Sequence, residues 1–117
     1  MVHLCHWAAQ KFVGNVLYGV AKAATDKLAR DMAVELAPHD VTVVSLYPGL
    51  VRTEAVLASG AFKLSNSESP EFIGRGIAAL ATAPDAKHWS GQIVVAAVRH
   101  HAAKPSERTA IGRAPLR

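Results

Sequence analysis

Two residues one helical turn apart carry the chemistry that this sequence suggests most directly. Tyr18 and Lys22 occupy positions i and i+4 of an alanine-rich stretch, and this spacing places both side chains on one face of a helix. A fixed positive charge near a phenol favours the phenolate form. A tyrosine held in this way is able to give or take a proton during carbonyl or alcohol chemistry. The alternative is a packed tyrosine beside a solvated lysine, and the residues that follow favour the first interpretation.

The segment after this pair has the order of elements that builds ligand crevices in open α/β sheets. A helical pattern runs from about Asn15 to Ala37 and is closed by Pro38. The apolar run 41–47 then predicts a strand that is buried on both faces. The turn 48–53, Pro-Gly-Leu-Val-Arg-Thr, follows at the carboxyl end of that strand, where such sheets bind their ligands.

The other predicted elements complete the order β-α-β-α-β, which predicts a right-handed parallel sheet. A short strand is predicted at residues 1–5, and residues 54–66 are predicted to be irregular. Ser69 as a cap and a proline at the first helical position predict a second helix over about 70–82. The last strand is predicted at residues 91–97.

Side-chain spacing predicts which faces of the two helices pack and which carry charge. Opposite charges four residues apart in the long helix are expected to pair, Asp26 with Arg30 and Lys27 with Asp31. The inward residues predicted for the second helix are Ile73, Ile77 and Leu80. The apolar stripe predicted for the long helix consists of Leu17, Ala21, Ala24, Leu28, Met32 and Leu36.

Residues 74–79, Gly-Arg-Gly-Ile-Ala-Ala, match the string G-x-G-x-x-A of dinucleotide-binding loops. That fingerprint requires a preceding strand, because its glycines form the strand-to-helix turn and aim backbone N–H groups at phosphate. A helix start precedes the string here, so we interpret Gly74 and Gly76 as small residues of a packed helix.

The combination of these features resembles the C-terminal half of the short-chain dehydrogenase/reductase family. The matching features are the Tyr18 and Lys22 pair, the turn 48–53 with its strand, and the segment 69–80. The resemblance implies an α/β fold of the Rossmann type, namely the C-terminal part of a doubly wound parallel sheet without the N-terminal dinucleotide-binding units. Residues 1–98 are expected to form this half domain, and residues 99–117 a basic, poorly ordered tail.

The resemblance implies an NAD(P)-dependent oxidoreductase that interconverts a small carbonyl compound and its alcohol by hydride transfer. Tyr18 would be the general acid/base at the substrate oxygen, and Lys22 would assist it and bind the nicotinamide ribose. The family's third catalytic group is a serine thirteen residues before the tyrosine, and Cys5 occupies that position. A thiol is a weaker donor than a hydroxyl, and losing one good donor costs on the order of 10²-fold in rate. We therefore expect impaired or absent turnover.

The same resemblance implies a cofactor site along the turn 48–53. The residues expected to contact the nicotinamide cofactor are Tyr18, Lys22, Pro48, Gly49, Val51 and Thr53. Residues 54–66 would form a variable substrate lid. Binding of NAD(P)(H) is expected to be weak without the N-terminal half, and the choice between NAD and NADP stays open. The chain is expected to be a fragment, an incomplete gene product or an alternative short product.

Alternative roles for the residues near Cys5 and in the tail are less favoured. Cys5 and His6 are poor candidates for a nucleophile and base, because neighbours on a strand point to opposite faces. His3 with Cys5, and likewise His100 with His101, supply two donors, which is too few for a metal site. No metal site is predicted.

Charge and composition favour a protein without nucleic-acid partners. The net charge is +4, and residues 99–117 hold five Lys or Arg against one Glu, which accounts for the whole excess. This tail lacks aromatic residues, so a solvated terminus is preferred over a nucleic-acid binder.

A single cysteine fits a reducing compartment. The sequence shows no apolar run long enough for a membrane span and no leader pattern. The compartment stays open, and the resemblance implies only an intracellular protein with an association to the endoplasmic reticulum.

A second function hypothesis is a non-catalytic module that associates with itself or a partner. The strand at residues 1–5 would present an open sheet edge, and the long helix would expose apolar residues that normally pack between subunits in the family. A homo-oligomer formed through the long helix is therefore expected.

Overall fold

Parallel strands form the centre of the computed structural model, which describes residues 1–96. The strands are β1 (Val2–Leu4), β2 (Val44–Tyr47) and β3 (Ile93–Val95). They lie in the order β1-β2-β3, and both pairings are parallel. The predicted parallel α/β architecture is confirmed. Residues 97–117, which include the predicted tail and its two histidines, lie outside the described residues.

Three α-helices lie between the strands, and each begins at a side-chain cap. The helices are α1 (Val16–Glu35), α2 (Glu54–Ser59) and α3 (Pro70–Thr82). The caps are Asn15, Thr53 and Ser69, and each side-chain oxygen accepts an N–H from the first turn of its helix. The predicted bounds of α1 and α3 agree with the structure to within two residues. Single 3₁₀ turns lie at Trp7–Ala9, Ala37–His39, Leu64–Asn66 and Ala86–Trp89.

Three predicted segments need correction. The run 41–47 enters the sheet only at Val44, because the Val43 N–H donates to the Ser90 hydroxyl at 3.2 Å instead of to a strand. The last strand covers Ile93–Val95 and not 91–97. The segment 54–66 is not irregular, since it contains α2 and a 3₁₀ turn.

The two long helices cover opposite faces of the sheet. Val44 and Leu46 pack in one core cluster with Ile73 and Leu80 of α3, whereas Ser45 and Tyr47 bond to α1. Because successive residues of a strand point to opposite faces, α1 and α3 lie on different sides of β2. The predicted inward residues of α3 are confirmed, and Gly74 and Gly76 lie inside this helix, away from any strand-to-helix turn.

The face of α1 that packs on the sheet differs from the predicted apolar stripe. Leu17 is 81% exposed and Leu28 is 49% exposed, whereas Asp26, Ala29 and Ala33 are buried. Small alanines let the helix approach the sheet closely, and Leu17 and Leu28 point outward. The predicted stripe is therefore wrong for its first four residues, whereas Met32 and Leu36 pack against the cluster around Val43 as predicted.

A buried carboxylate sets this orientation of α1. Asp26 is 5% exposed, and its oxygens accept hydrogen bonds from Ser45 Oγ at 2.6 Å and from the Tyr47 hydroxyl. The predicted pairing of Asp26 with Arg30 is wrong, because these donors on β2 hold the carboxylate inside. The predicted pair of Lys27 and Asp31 is confirmed as an exposed ion pair.

Within residues 1–96 no helix has the length and apolar character required to cross a bilayer.

We expect Asp26→Ala to lower the free energy of unfolding by about 3 kcal/mol, because the substitution removes two hydrogen bonds to a buried carboxylate and leaves two hydroxyls unsatisfied. Asp31→Ala on the exposed side of the same helix serves as the matched control and should cost less than about 1 kcal/mol. Urea denaturation followed by circular dichroism measures both values. Equal losses in the two variants would contradict the assignment of Asp26 as the anchor of α1.

Candidate active site

The carboxyl ends of β1 and β2 lie at one edge of the sheet, together with the first turns of α1. Cys5 follows β1 and donates its N–H to the Leu46 carbonyl at 2.9 Å. Pro48 and Gly49 follow β2 at this same edge. Gly19 brings α1 close, since a Cβ at that position would lie 3.2 Å from the Ala8 carbonyl oxygen.

Tyr18 and Lys22 lie on the same face of α1, as their spacing predicted. The Lys22 Nζ atom lies 5.6 Å from the centroid of the Tyr18 ring, within the range of a cation–π contact. Tyr18 is 40% exposed, so its side chain is open to a ligand. The Asn15 cap accepts the Tyr18 N–H at 2.8 Å and fixes the start of the helix that carries the pair.

His6 lies against this pair, and sequence reasoning considered it only as a base for Cys5. Its ring centroid is 5.8 Å from that of Tyr18, with the planes tilted by 55°. The Nδ1 atom accepts the Ala8 N–H at 3.1 Å. Partial burial, and then the charges of Lys22 and Lys11, lower the pKa of His6. Twelve positions separate His6 from Tyr18 in the sequence, so no local sequence pattern predicts their contact.

Cys5 lies below this surface in a structural hydrogen bond. The side chain is buried, and Sγ donates to the backbone carbonyl of Lys22 at 3.1 Å. Burial, together with the nearby Asp26 carboxylate, raises the pKa of the thiol. The proton of Cys5 is therefore held by the protein and directed at α1.

Tyr47 connects three segments beneath the site. Its hydroxyl donates to Asp26 and accepts from Gln10 Nε2 at 3.4 Å, and the Trp7 ring packs edge-on at 5.1 Å. The side chain has no exposure, and burial, followed by the hydrogen bond to Asp26, raises the pKa of Tyr47 far above its usual range. This residue therefore fixes β2, α1 and the turn after β1 relative to one another.

The turn after β2 is held in shape by Glu68, a residue that the sequence did not single out. Glu68 Oε2 accepts the Gly49 N–H at 3.0 Å, and a Cβ on Gly49 would lie 3.3 Å from the Glu68 carboxyl group. The Glu68 backbone accepts from Arg52 N and donates to the Leu50 carbonyl, each at 2.8 Å. A parallel bridge therefore joins Val51 to Glu68.

This bridge determines the direction of the Val51 amide group. Because the neighbours on either side of Val51 bond toward Glu68, the N–H of Val51 points the opposite way. It finds no acceptor among residues 1–96. The Thr53 hydroxyl accepts the Val56 N–H at 3.3 Å as the cap of α2, so its own hydrogen remains a donor. The turn thus offers two donors of the kind that a carboxamide or ribose would accept.

No group of three or more potential metal ligands occurs within the described part of the chain.

A parallel sheet with helices on both faces is the arrangement of a Rossmann-type α/β fold. Residues 5–63 match the family model described as short chain dehydrogenase, and the chain belongs to that family. It is 46% identical over 94 residues to the mouse (Mus musculus) protein dehydrogenase/reductase SDR family member 1, and 40% identical over 98 residues to the human (Homo sapiens) protein of that name. The resemblance to the short-chain dehydrogenase/reductase family that the sequence features indicated is thereby confirmed.

These matches cover 68% and 72% of the chain but only 30% and 31% of the two relatives. Solved structures also match most of this chain but less than half of their own length. A short chain dehydrogenase/reductase family protein matches with a TM-score of 0.68 at 29% identity, and 4-hydroxyisoleucine dehydrogenase complexed with NADH matches with 0.65 at 25%. Each match covers 80% of this chain and 42% of the other. The chain therefore spans about a third of its curated relatives.

Alkaline pH is expected to destabilise the fold through Tyr47 and Cys5. Both pKa values are raised in the folded state, so the unfolded chain loses these protons first, and stability falls as pH rises above about 9. Each group contributes a slope of up to about 1.4 kcal/mol per pH unit. Tyr47→Phe should be less stable at pH 7 but should lose stability more slowly between pH 9.5 and 10.5, as read from urea midpoints. Identical slopes for the parent chain and Tyr47→Phe would disprove this origin.

Proposed function

We propose that this chain carries the proton-transfer site of an NAD(P)-dependent oxidoreductase that interconverts a small carbonyl compound and its alcohol. The observation that supports the proposal best is the placement of Tyr18 and Lys22. Both lie on one face of α1, with the phenol open to solvent, beside the carboxyl edge of the sheet. Parallel sheets of this type bind ligands at that edge.

The chemistry follows from the residues at this edge. A bound nicotinamide cofactor supplies the hydride that reaches the carbonyl carbon. Tyr18 gives its hydroxyl proton to the carbonyl oxygen, and the positive charge of Lys22 stabilises the phenolate that remains. The Lys22 ammonium group is also a hydrogen-bond donor that suits the ribose hydroxyls of the nicotinamide cofactor. In the direction of alcohol oxidation, the phenolate takes the proton back.

The turn after β2 fits the nicotinamide end of the cofactor. The free N–H of Val51 and the hydroxyl of Thr53 are donors for its carboxamide or phosphate side, and Pro48 with Gly49 turns the chain beside the ring. The hydrogen bond from Gly49 to Glu68 keeps this turn close to the sheet. These residues would hold a bound nicotinamide ring in one orientation.

The substrate lid is assigned to residues 54–66, which include α2. Arg52 Nη1 bonds to the carbonyl and hydroxyl of Ser67 at 2.6 and 2.8 Å, so the two ends of this loop are tied together. Phe62 in the loop is 52% exposed and offers an apolar contact for a substrate.

Turnover and cofactor affinity of this chain alone are proposed to be low. The thiol at the family's serine position is committed to the Lys22 carbonyl. A glycine-rich pyrophosphate loop that follows a strand does not occur within these 117 residues. Binding then rests on contacts to the nicotinamide half of the cofactor.

Tyr18→Phe is expected to lower NADPH-dependent ketone reduction by about 10²-fold to 10⁴-fold, because the general acid is removed. Lys22→Met should also lower the rate, whereas Lys27→Met, on the outer side of the same helix, should leave it within about twofold. Single-turnover absorbance at 340 nm with enzyme in excess detects slow reduction. The proposed function would be contradicted if the parent chain showed no turnover, or turnover that Tyr18→Phe leaves unchanged.

A second candidate function is self-association through the outer face of α1. Three apolar side chains near the start of this face, Val16, Leu17 and Val20, are 69%, 81% and 60% exposed, and Val34 near its end is 78% exposed. Among residues 1–96, β1 pairs only with β2, so its other edge is open. Apolar surface of this kind marks contact sites between proteins.

Leu17→Glu is expected to weaken association of the chain by at least about tenfold, because a carboxylate would have to lose its water in the contact. Phe62→Glu changes an exposed apolar residue outside the helix and should leave the association constant unchanged. Sedimentation equilibrium over a range of concentrations measures both variants against the parent. A parent chain that stays monomeric at all concentrations would rule out this second function.

A further inference from the structure

We propose that His6 is a further catalytic residue of this site and that its Nε2–H donates a hydrogen bond to the substrate carbonyl oxygen. The inference rests on the proposed function and deepens it. In the family a serine is this donor, and Cys5 occupies the position of that serine in this chain. The inference gives the donor role to the next residue, His6.

The geometry of the His6 ring determines which nitrogen carries the proton. Nδ1 accepts the backbone N–H of Ala8 at 3.1 Å, and a backbone N–H only donates. Nδ1 therefore has its lone pair available, and the proton of the neutral ring lies on Nε2. Among residues 1–96, the side-chain hydrogen bond of His6 is made by Nδ1 and none is made by Nε2, so this donor remains for a ligand.

The position of the ring places this donor beside the proton donor of the reaction. The His6 and Tyr18 ring centroids are 5.8 Å apart, and Lys22 Nζ lies 5.6 Å from the Tyr18 centroid. His6 is only partly buried. A carbonyl oxygen that approaches the Tyr18 hydroxyl is thus within reach of a second donor from the turn after β1.

The charges around His6 keep it in the form that this role requires. Partial burial lowers the pKa of His6, and the two cations Lys22 and Lys11 lower it further. The ring is then neutral near pH 7. A neutral imidazole donates a hydrogen bond and keeps its own proton, so it does not compete with Tyr18 as the acid.

Cys5 does not compete for this role at the surface. Its Sγ is buried and bonds to the Lys22 carbonyl at 3.1 Å. The next residue, His6, begins the turn Trp7–Ala9 and its side chain lies against α1 at Tyr18. The longer imidazole side chain thus reaches the space above the buried thiol.

The step balances with the reactants of the proposed function. The reduced nicotinamide cofactor would supply the hydride to the carbonyl carbon and would leave oxidised; the C=O π electrons move to oxygen, and the proton from the Tyr18 hydroxyl completes the alcohol and leaves a phenolate. His6 keeps its Nε2 proton throughout and stabilises the negative charge that develops on oxygen.

Nuclear magnetic resonance of the purified 117-residue chain with ¹⁵N-labelled histidine tests the donor directly. We expect the neutral Nε2–H form of His6 at pH 7, and a shift of its Nε2 signal when acetophenone is added as a carbonyl probe. His39 is exposed, lies in the turn after α1, and should show no shift. A charged ring, the Nδ1–H form, or an unmoved His6 signal would overturn the inference.

Kinetics separate the role of His6 from the proposed function. With acetophenone and NADPH, His6→Ala should lower kcat by about 10²-fold with little change in KM. His6→Gln keeps an N–H donor and should retain kcat to within about tenfold, and His39→Ala should match the parent. Loss of activity in Tyr18→Phe with unchanged activity in His6→Ala would overturn the role of His6 and leave the proposed function intact. If no turnover depends on Tyr18, the proposed function fails and the catalytic role of His6 fails with it, while the resonance experiment still reports whether His6 donates to a carbonyl oxygen.

Discussion

The burial of one carboxylate determines how the rest of this structure is arranged. Asp26 enters the interior of the protein only because Ser45 and Tyr47 supply donors for both of its oxygens, since an unpaired charge there would cost several kcal/mol. Tyr18, Lys22 and Asp26 follow one another at intervals of four on α1, so the rotation that buries Asp26 brings Lys22 to the sheet edge and Tyr18 to its rim. Tyr47 directly precedes the turn after β2. A single buried cluster therefore aligns Tyr18 and Lys22, the proposed acid/base pair, with the proposed cofactor turn.

Sequence reasoning recovered the parts of the fold that depend on local signals. The bounds of α3 were predictable because Ser69 and Pro70 define its start, and the Tyr18 and Lys22 pair was predictable from spacing alone. The packing face of α1 was not predictable in this way, since the large apolar residues Leu17 and Leu28 lie outside and a carboxylate lies inside. A prediction from hydrophobic periodicity assumes the reverse, with apolar residues inside and charged residues outside. The donors that make this arrangement favourable lie nineteen and twenty-one residues away, on β2.

The same reason explains which site residues were missed. Glu68 acts on Gly49 across nineteen residues, and His6 contacts Tyr18 across a turn, so neither has a local pattern. The short helix α2 was also missed, because six residues carry too little periodicity and its start depends on the Thr53 cap. Through Ser67 and Glu68, the residues that directly follow the loop 54–66 are hydrogen-bonded to the turn after β2.

The charged groups of the site lie in two layers, and this separation explains why the pKa values of neighbouring groups shift in opposite directions. Below the surface, the Asp26 carboxylate and burial both favour the protonated forms of Cys5 and Tyr47, so these groups hold the structure and exchange no protons near pH 7. At the surface, Lys22 and Lys11 favour a neutral His6 and stabilise negative charge on a nearby oxygen. An anion below and cations above thus separate the buried groups that hold the structure from the exposed surface where we propose that Tyr18 transfers a proton. A cation in place of Asp26 beneath the sheet edge would make the buried thiol and phenol more acidic and would remove this separation.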